Sequence, residues 1–417
     1  MSVFHPQHPA EGLVAIFMHK DRTTSRDLRW LSSAAQAEFL RATVADYPVY
    51  RGADWSQVNV DALISASEHH RVSAFLVPTI NYPGTPEPIR AFTRLVELRR
   101  RFTQARMAVD LNQIVEVADR LNRPWVLLKG PTLVATAYQG AAREYGDLDV
   151  LVDGRDLRSM VDGLCQLGGT LLDRNFEMLT RATSGEIGVM MPMGSMVDLH
   201  WHPIHTERVR RHFRIPVAQL IERGSRLALG EGGPVVRALE ASDALLYLSL
   251  HACLSGGERL LWLKDIDMLS RRLQWNERDL VSRAMQWGIG PAAGLILRRA
   301  QRIFGSPIDP ALTTLLVHSL PMRGVGSVLD RWAPPNRQTR NGQDRVFFRA
   351  TRGSARATSW ELVKQLASST VLPNRYDRVR PWREYTVRGV VPNAVETSAA
   401  SKAQFFAIVA AAAAREG

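Results

Sequence analysis

One alternating run near the middle of the chain constrains its fold most, Asp147-Leu-Asp-Val-Leu-Val-Asp153. Alternation with a period of two is typical of a strand, and it places Asp147 and Asp149 on one face of a sheet. The intervening Leu148, Val150 and Val152 then face the opposite way, into a core. Two adjacent carboxylates repel each other unless a cation lies between them. The run therefore predicts a buried strand whose polar face holds a divalent cation with oxygen ligands, for which Mg²⁺ is suited.

A second alternating run offers a third carboxylate. In Met196-Val-Asp-Leu-His-Trp201, Asp198 alternates with Val197 and Leu199. Ile187–Met191 and Ser195–Trp201 are predicted to form a hairpin that turns at Met193-Gly194. In a regular strand His200 shares the face of Asp198, so it is a candidate to line the same site.

A strand-to-helix turn precedes both runs. Trp125–Leu128 is predicted to be a short buried strand, and Pro131 is suited to the first position of a helix. A helix that begins there directs free N–H groups at an anion, and Gly130 lets the anion approach the backbone. Lys129 adds a positive charge, and Arg143 could bind a phosphate from the other side. A phosphate cradle beside carboxylates that hold a metal is typical of phosphoryl or nucleotidyl transfer.

Here the residues carry a resemblance. The ordered set Leu127-Leu-Lys-Gly130, Arg143, Gly146-Asp-Leu-Asp-Val-Leu-Val152 and Val197-Asp-Leu-His-Trp201 resembles the uncharacterised nucleotidyltransferase family of the DNA polymerase β superfamily. Asp54-Trp55 and Glu68-His-His-Arg-Val72 are similar to that family's helical N-terminal region. The segments around His251 and Arg259-Leu-Leu-Trp-Leu-Lys-Asp265 resemble the part after its catalytic core. The resemblance covers about 54–290.

The resemblance implies an α+β fold, a mixed β-sheet core of the nucleotidyltransferase type flanked by helical N-terminal and C-terminal regions. Asp147 and Asp149 would hold two Mg²⁺ and a nucleoside triphosphate. Asp198 would ligate the catalytic metal and help to deprotonate an acceptor hydroxyl, with release of pyrophosphate. The sequence departs from the wider superfamily at Gly130-Pro131, where Gly-Ser is usual, so a serine contact to phosphate is missing and Lys129 is expected to replace it.

Further candidates follow the core. Lys264 is a candidate nucleotide contact, and with Asp265 it either closes the cleft or forms a surface pair. His251 is either a buried structural histidine or part of the site's lining.

The helical regions follow from apolar spacing close to 3.6 residues. The pattern predicts helices over Arg26–Val44, Val60–Ala74 and Ile89–Leu121, and helical structure again after Val217. The buried face of the long helix is predicted to hold Phe92, Leu95, Leu98, Phe102, Val109, Ile114 and Val117. We predict four parts: a helical region at 1–121, the α/β core at 122–215, a helical domain at 216–336, and a basic arm with an Ala-rich tail at 337–417.

Positive charge is concentrated near the C-terminus. Residues 337–388 carry eleven arginines and Lys364 against four carboxylates, which is +8 of the whole chain's +12. With its interleaved aromatic residues this arm could bind RNA or another single-stranded nucleic acid, or an acidic peptide, or its helices could simply pack on the body. Two cysteines and the absence of a membrane-length apolar run predict a cytoplasmic protein.

Three functions therefore compete. The first is a Mg²⁺-dependent nucleotidyltransferase that uses ATP or another nucleoside triphosphate and a small-molecule or peptide acceptor, in the second case a peptide-modifying enzyme. The second is a toxin-like nucleotidyltransferase that acts on RNA such as a tRNA end. The third is an inactive anion-binding protein of the same fold, which the retention of three mutually repelling carboxylates disfavours.

Overall fold

The structure is a computed structural model that describes residues 34–45, 55, 58–82, 84–140, 143–332, 334–337, 344–371 and 397–416. The helices before the sheet are α1 (Ala34–Ala45), α2 (Val60–His69) and α3 (Glu87–Leu121), with a 3₁₀ segment at Ser73–Asn81. The helix predicted over Val60–Ala74 ends at His69, and the residues from Ser73 form the 3₁₀ segment instead. The part of the first predicted helix before residue 34 lies outside the described residues.

The α/β core alternates strands and short helices. Its elements are β1 (Trp125–Leu127), α4 (Pro131–Thr136), β2 (Asp147–Val152), α5 (Leu157–Gln166), β3 (Thr170–Leu171), α6 (Phe176–Ala182), β4 (Glu186–Met190), β5 (Met196–His200), α7 (Glu207–Arg210) and α8 (Val217–Arg223). Pro131 is the first residue of its helix, and β4 pairs antiparallel with β5 as the predicted hairpin. The turn between them contains Gly194 at a φ of 86°, a conformation that glycine adopts without strain.

Two strands after Val217 contradict the prediction of an all-helical segment there. They are β6 (Ser225–Ala228) and β7 (Val235–Ala238), which form an antiparallel pair, and β7 pairs in parallel with β1. Each strand is only four residues long, too short for a period of two to stand out from a helical pattern. The described sheet has seven strands in the order β3-β4-β5-β2-β1-β7-β6, which is a mixed sheet, so the predicted α+β fold is confirmed.

The remaining described chain is helical. Its elements are α9 (Ala241–Leu254), α10 (Leu260–Arg272), α11 (Glu277–Gln286), α12 (Gly290–Phe304), α13 (Pro310–Leu316), α14 (Leu320–Trp332), a 3₁₀ turn (Pro335–Arg337), α15 (Asp344–Ala350), α16 (Ala355–Val371) and α17 (Ala399–Glu416). No helix among the described residues is long and apolar enough to cross a membrane.

The two faces of the sheet pack into different cores. Leu148, Val150 and Val152 of β2 pack with the second half of α3, with α5 and with α17. Leu151 faces the other way and belongs to a larger core, which is built mainly from the helices before the sheet and the helices after it. Asp149 and Asp198 lie on this second face, so the candidate site is enclosed between the sheet and the helical body.

The buried face of α3 differs from the predicted one. Ile114 and Val117 are buried as predicted, whereas Leu95, Leu98, Phe102 and Val109 are about half exposed or more. The buried positions include Ile89, Val96, Met107 and Leu111 instead. In a helix of 35 residues more than one apolar stripe satisfies the helical period, and only the packing partners select between them.

Part of the basic arm packs on the body. In α15, Phe347 and Phe348 are buried, whereas Trp360 of α16 is exposed. Residues 338–343 and 372–396 of the arm lie outside the described residues. The domain boundaries given above stay predictions.

Candidate active site

The three predicted carboxylates come together. Strands β2 and β5 are parallel neighbours in which Asp149 pairs with Asp198 and Asp147 pairs with Met196. One carboxylate oxygen from each of Asp147, Asp149 and Asp198 lies within 4.8 Å of the other two. Asp149 and Asp198 are buried, and Asp147 at the start of its strand is half-buried. The register of the sheet therefore produces the cluster that alternation alone suggested.

Asp149 is the central member of the cluster. Its Oδ1 lies 3.1 Å from Lys129 Nζ and 3.3 Å from His200 Nε2. Burial opposes its ionisation, but the charge of Lys129 and the hydrogen bond from His200 outweigh burial and hold its pKa well below the usual range. Its Oδ2 is buried and accepts no hydrogen bond from the described part of the chain.

Asp198 has the opposite electrostatic environment. Burial raises its pKa to about 7, helped by the negative charges of Glu186 and Asp149. The cluster thus carries more negative charge than its protein surroundings neutralise, which is the condition that a bound cation would relieve.

His200 lies on the face predicted for it, and it connects the cluster to a residue that the sequence reasoning missed. Its Nδ1 lies 3.3 Å from Oε2 of Glu186, the residue directly opposite it on β4. Burial lowers the pKa of His200, but the hydrogen bond to Asp149 and the charge of Glu186 outweigh burial and raise that pKa to about 9. Burial is also outweighed at Glu186, where His205 and His200 lower the pKa to about 2. The predicted hairpin register could have revealed Glu186, since it places an acid opposite His200.

The residues predicted to form a phosphate cradle lie at the end of β1. Gly130 has a φ of 73° and directly precedes Pro131, the first residue of α4. The side chain of Lys129 turns toward the carboxylates: burial lowers its pKa, but Asp149 and Asp147 outweigh burial and raise it, so the ammonium stays charged. The cradle therefore brings one cation and a glycine to the edge of the carboxylate cluster.

Arg143 reaches the same cleft but is held by a residue of the helical body. Its Nε and Nη2 each donate to an oxygen of Asp265 at 2.6 Å, and Tyr138 Oη donates to the same carboxylate at 2.9 Å. Asp265 thus lies in the lining of the cleft. The contact of Arg143 with phosphate stays a prediction, now with its guanidinium already fixed by Asp265.

Lys264 does not reach the cleft, contrary to its predicted role as a nucleotide contact. It is buried, and its Nζ donates to Asp267 Oδ2 at 2.8 Å and to the Ala45 carbonyl at 3.3 Å. Consecutive residues on a helix point about 100° apart, so Asp265 can face the cleft while Lys264 faces α1.

His251 lines the cleft beside Arg71, Lys129 and Asp147. Its ring packs edge-on against Trp262 at 5.7 Å between centroids. Burial and then the charge of Lys129 lower its pKa to about 3, so it is a neutral group of the cleft wall. Arg71 and Trp262 were not among the predicted site residues, although both lie in segments that carried the resemblance. The space that these residues enclose, including its open mouth, is about 470 Å³.

A carboxylate triad on two parallel strands, next to a lysine and a glycine turn, is suited to metal-assisted transfer of a phosphorus-containing group. A model of the uncharacterised nucleotidyltransferase family matches residues 56–305, more than half of the chain. The chain belongs to this family. The predicted resemblance is therefore confirmed, and the protein is a nucleotidyltransferase.

Other comparisons add little to the family match. The curated proteins contain no significant match. Among solved structures, the antibiotic-resistance factor ANT(2'')-Ia is similar at 12% identity, with 54% of this chain and 95% of that chain covered and a TM-score of 0.27.

Proposed function

We propose that this nucleotidyltransferase is Mg²⁺-dependent and transfers a nucleoside monophosphate from a nucleoside triphosphate to a hydroxyl of a small-molecule or peptide acceptor. The observation that carries the proposal is the convergence of Asp147, Asp149 and Asp198 within 4.8 Å, with Asp147 in the lining of the cleft. Three carboxylates held this close on buried strands repel one another, and hard divalent cations relieve that repulsion.

The residues present fit Mg²⁺. All three side chains offer carboxylate oxygens, the ligand type that Mg²⁺ prefers. Asp149 Oδ2 is buried and receives no hydrogen bond from any described residue, so it retains a free lone pair for a ligand bond. When bound, Mg²⁺ would offset the negative charge of the phosphates and lower the pKa of the acceptor hydroxyl.

Cationic side chains around the cluster would bind the triphosphate. Lys129 lies at the cluster's edge, and Gly130 leaves room for a phosphate near the backbone. Arg71 approaches from the helical side of the same cleft. Three residues would thereby hold the phosphate chain while the α-phosphorus lies over the carboxylates.

The reaction follows from this placement. The acceptor oxygen forms a bond to the α-phosphorus, the bond from that phosphorus to the bridging oxygen breaks, and pyrophosphate leaves. A carboxylate oxygen of Asp198 takes the proton of the acceptor hydroxyl. His251, which is neutral, and Trp262 form the opposite wall and limit the entry of water.

A labelling experiment tests the proposal. The purified protein is incubated with each α-³²P-labelled nucleoside triphosphate, Mg²⁺, and cell lysate separated into RNA, peptide and small-molecule pools. Transfer to the peptide or small-molecule pool is the expected result, and transfer to RNA would replace the proposed acceptor class. Asp147→Asn and Asp149→Asn are expected to abolish labelling, and Asp119→Asn, which changes an exposed carboxylate of α3, is the matched control. Absence of labelling with every nucleotide and every pool would overturn the proposal.

A further inference from the structure

Two different donors share one oxygen of Asp149. Lys129 Nζ and His200 Nε2 both contact Oδ1, at 3.1 and 3.3 Å, while Oδ2 is left without a donor from the described chain. The terminal torsion of an aspartate is broad and nearly two-fold, so its two oxygens exchange readily unless something distinguishes them. Here the donors distinguish them, because both lie on one side of the carboxylate.

The two donors differ in how firmly they are held. Lys129 has a flexible stem, and a bound triphosphate would compete with Asp149 for its ammonium. His200 is a buried ring on a central strand, and its other nitrogen lies 3.3 Å from Glu186 Oε2. Glu186 is fixed in turn from the far side, where its Oε1 lies 3.2 Å from His205 Nδ1. The contacts thus run from β2 through β5 to β4, across three adjacent strands.

We propose that His200 is a positioning residue which, braced by Glu186, orients Asp149 so that Oδ2 faces the metal. The inference rests on the proposed function, because it assigns Asp149 as a metal ligand. A histidine that bridges a ligand carboxylate and a second carboxylate fixes the orientation of the ligand before the ion arrives. Loss of such an outer contact commonly weakens metal affinity or activity by about 10–100-fold.

The register of the hairpin makes this role available. Glu186 and His200 are cross-strand partners on β4 and β5, and Asp149 and Asp198 are partners on β2 and β5. His200 follows Asp198 by two residues on the same face of β5, so one regular strand presents both a proposed ligand and the group that orients another ligand. Lys129 is then free to turn to a phosphate without releasing Asp149.

Metal binding without nucleotide is the direct test. Binding of Mn²⁺ to the purified full-length protein is measured from the EPR signal of the free ion. His200→Leu is expected to weaken Mn²⁺ binding by about 10–100-fold. His200→Gln is expected to retain most of the affinity, because its amide nitrogen can reach the position of Nε2 and donate to Asp149. In the transfer assay, the Mg²⁺ concentration at half activity should rise by about 10–100-fold in His200→Leu and by much less in His200→Gln.

A pair of substitutions at Glu186 separates positioning from simple charge. Glu186→Asp keeps the negative charge but is shorter by one methylene, and Glu186→Gln keeps the length but loses the charge. The proposal expects both to weaken Mn²⁺ binding. If Glu186→Asp binds Mn²⁺ as tightly as wild type does, Glu186 acts through its charge alone, and the proposed bracing is overturned. If His200→Leu binds Mn²⁺ as tightly as wild type does, the positioning role of His200 is overturned. If His200→Leu does not fold, the Glu186 pair decides.

The same assay separates this inference from the proposed function. Wild-type protein that binds Mn²⁺ through Asp149, with the losses expected above, but transfers no nucleotide would refute the function and leave the positioning role intact. Nucleotide transfer by the wild type, with Mn²⁺ affinity unchanged in every His200 and Glu186 variant, would support the function and refute the positioning role.

Discussion

Arg143 and Asp265 form a buried, two-pronged ion pair across the cleft. The guanidinium Nε and Nη2 donate to the two carboxylate oxygens at 2.6 Å each, and both side chains are at most 5% exposed. The pair connects the loop before β2 to α10, so it fixes the carboxylate strand relative to the helical body.

Breaking this pair is expected to destabilise the protein strongly. Asp265→Asn leaves the Arg143 charge buried without its counter-charge, which should lower the free energy of unfolding by about 3–5 kcal/mol. Urea denaturation measures the change. The double variant Arg143→Met/Asp265→Leu should recover part of the loss, since apolar residues tolerate burial. Asp162→Asn, which breaks the more exposed contact to Lys402, should cost less than about 1 kcal/mol. An equally small cost for Asp265→Asn would contradict the prediction.

The carboxylate cluster predicts a stabilising substitution. The pKa of Asp198 is raised from 3.8 to about 7 by burial and by Glu186 and Asp149. The folded state therefore binds the proton more tightly than the unfolded state, and the stability from this group falls as pH rises from about 3.8 to 7. At pH 8 without divalent cations, Asp198→Asn should raise the free energy of unfolding by about 1–4 kcal/mol.

Mg²⁺ should make the wild-type protein more stable than Asp198→Asn, the reverse of their order without divalent cations. Added ion binds the folded wild-type site and raises its Tm, whereas the Asn variant should respond much less. Thermal denaturation with and without 10 mM EDTA, or with Mg²⁺ at about 100 times its dissociation constant, measures the effect. A variant that is less stable than wild type in EDTA would show that the repulsion between the carboxylates is already relieved by the protein.

The buried His251 is expected to make the free energy of unfolding rise with pH, opposite to the effect of Asp198. Burial and the charge of Lys129 lower its pKa from 6.5 to about 3. The unfolded state binds the proton more tightly, so the stability from His251 is present above pH 6.5 and is lost as pH falls toward 3. Between about pH 4 and 6 the wild type should lose up to about 1.4 kcal/mol per unit more than His251→Gln does. Urea denaturation across this range gives the two curves, with the exposed His318→Gln as control; parallel curves for wild type and His251→Gln would refute the prediction.

The C-terminal helix α17 is expected to be part of the catalytic unit's core. Phe405 is fully buried and packs against Phe176 of α6, with ring centroids 5.8 Å apart. Phe405→Ala should therefore lower the free energy of unfolding by about 3–5 kcal/mol, measured in urea. Gln404→Ala, one residue earlier and exposed, should change it by less than about 0.5 kcal/mol. Similar values for the two variants would mean that α17 contributes little to this core.

Local pattern predicted the part of the site that lies on regular strands. Asp147, Asp149, Asp198 and His200 share a face because side chains alternate along a strand, and that alternation is visible in the sequence. The turn at Gly194 and the helix start at Pro131 were equally local, since each follows from the φ angle that its residue allows.

Contacts between distant segments could not be predicted in this way. Asp265 pairs with Arg143, which lies 122 positions earlier in the sequence. Lys264, the neighbour of Asp265, points away from the cleft, because α1 packs on that side of α10 and its Ala45 carbonyl accepts a hydrogen bond from Lys264. The same reason applies to the buried face of α3 and to the strands β6 and β7. Their own patterns are too short to predict a strand, and β7 is fixed by its pairing with β1 and β6 by its pairing with β7.

The sequence by itself thus determined the identity of the chemistry: three carboxylates at alternating positions of two strands, a glycine turn with a lysine, and the family to which the chain belongs. Only the tertiary structure decided which oxygen of Asp149 receives no hydrogen bond from the described residues, which carboxylate lies beside His200 Nδ1, and which cation pairs with Asp265. Periodicity reports the direction of a side chain relative to its own backbone, whereas its partner is fixed by how separate elements pack.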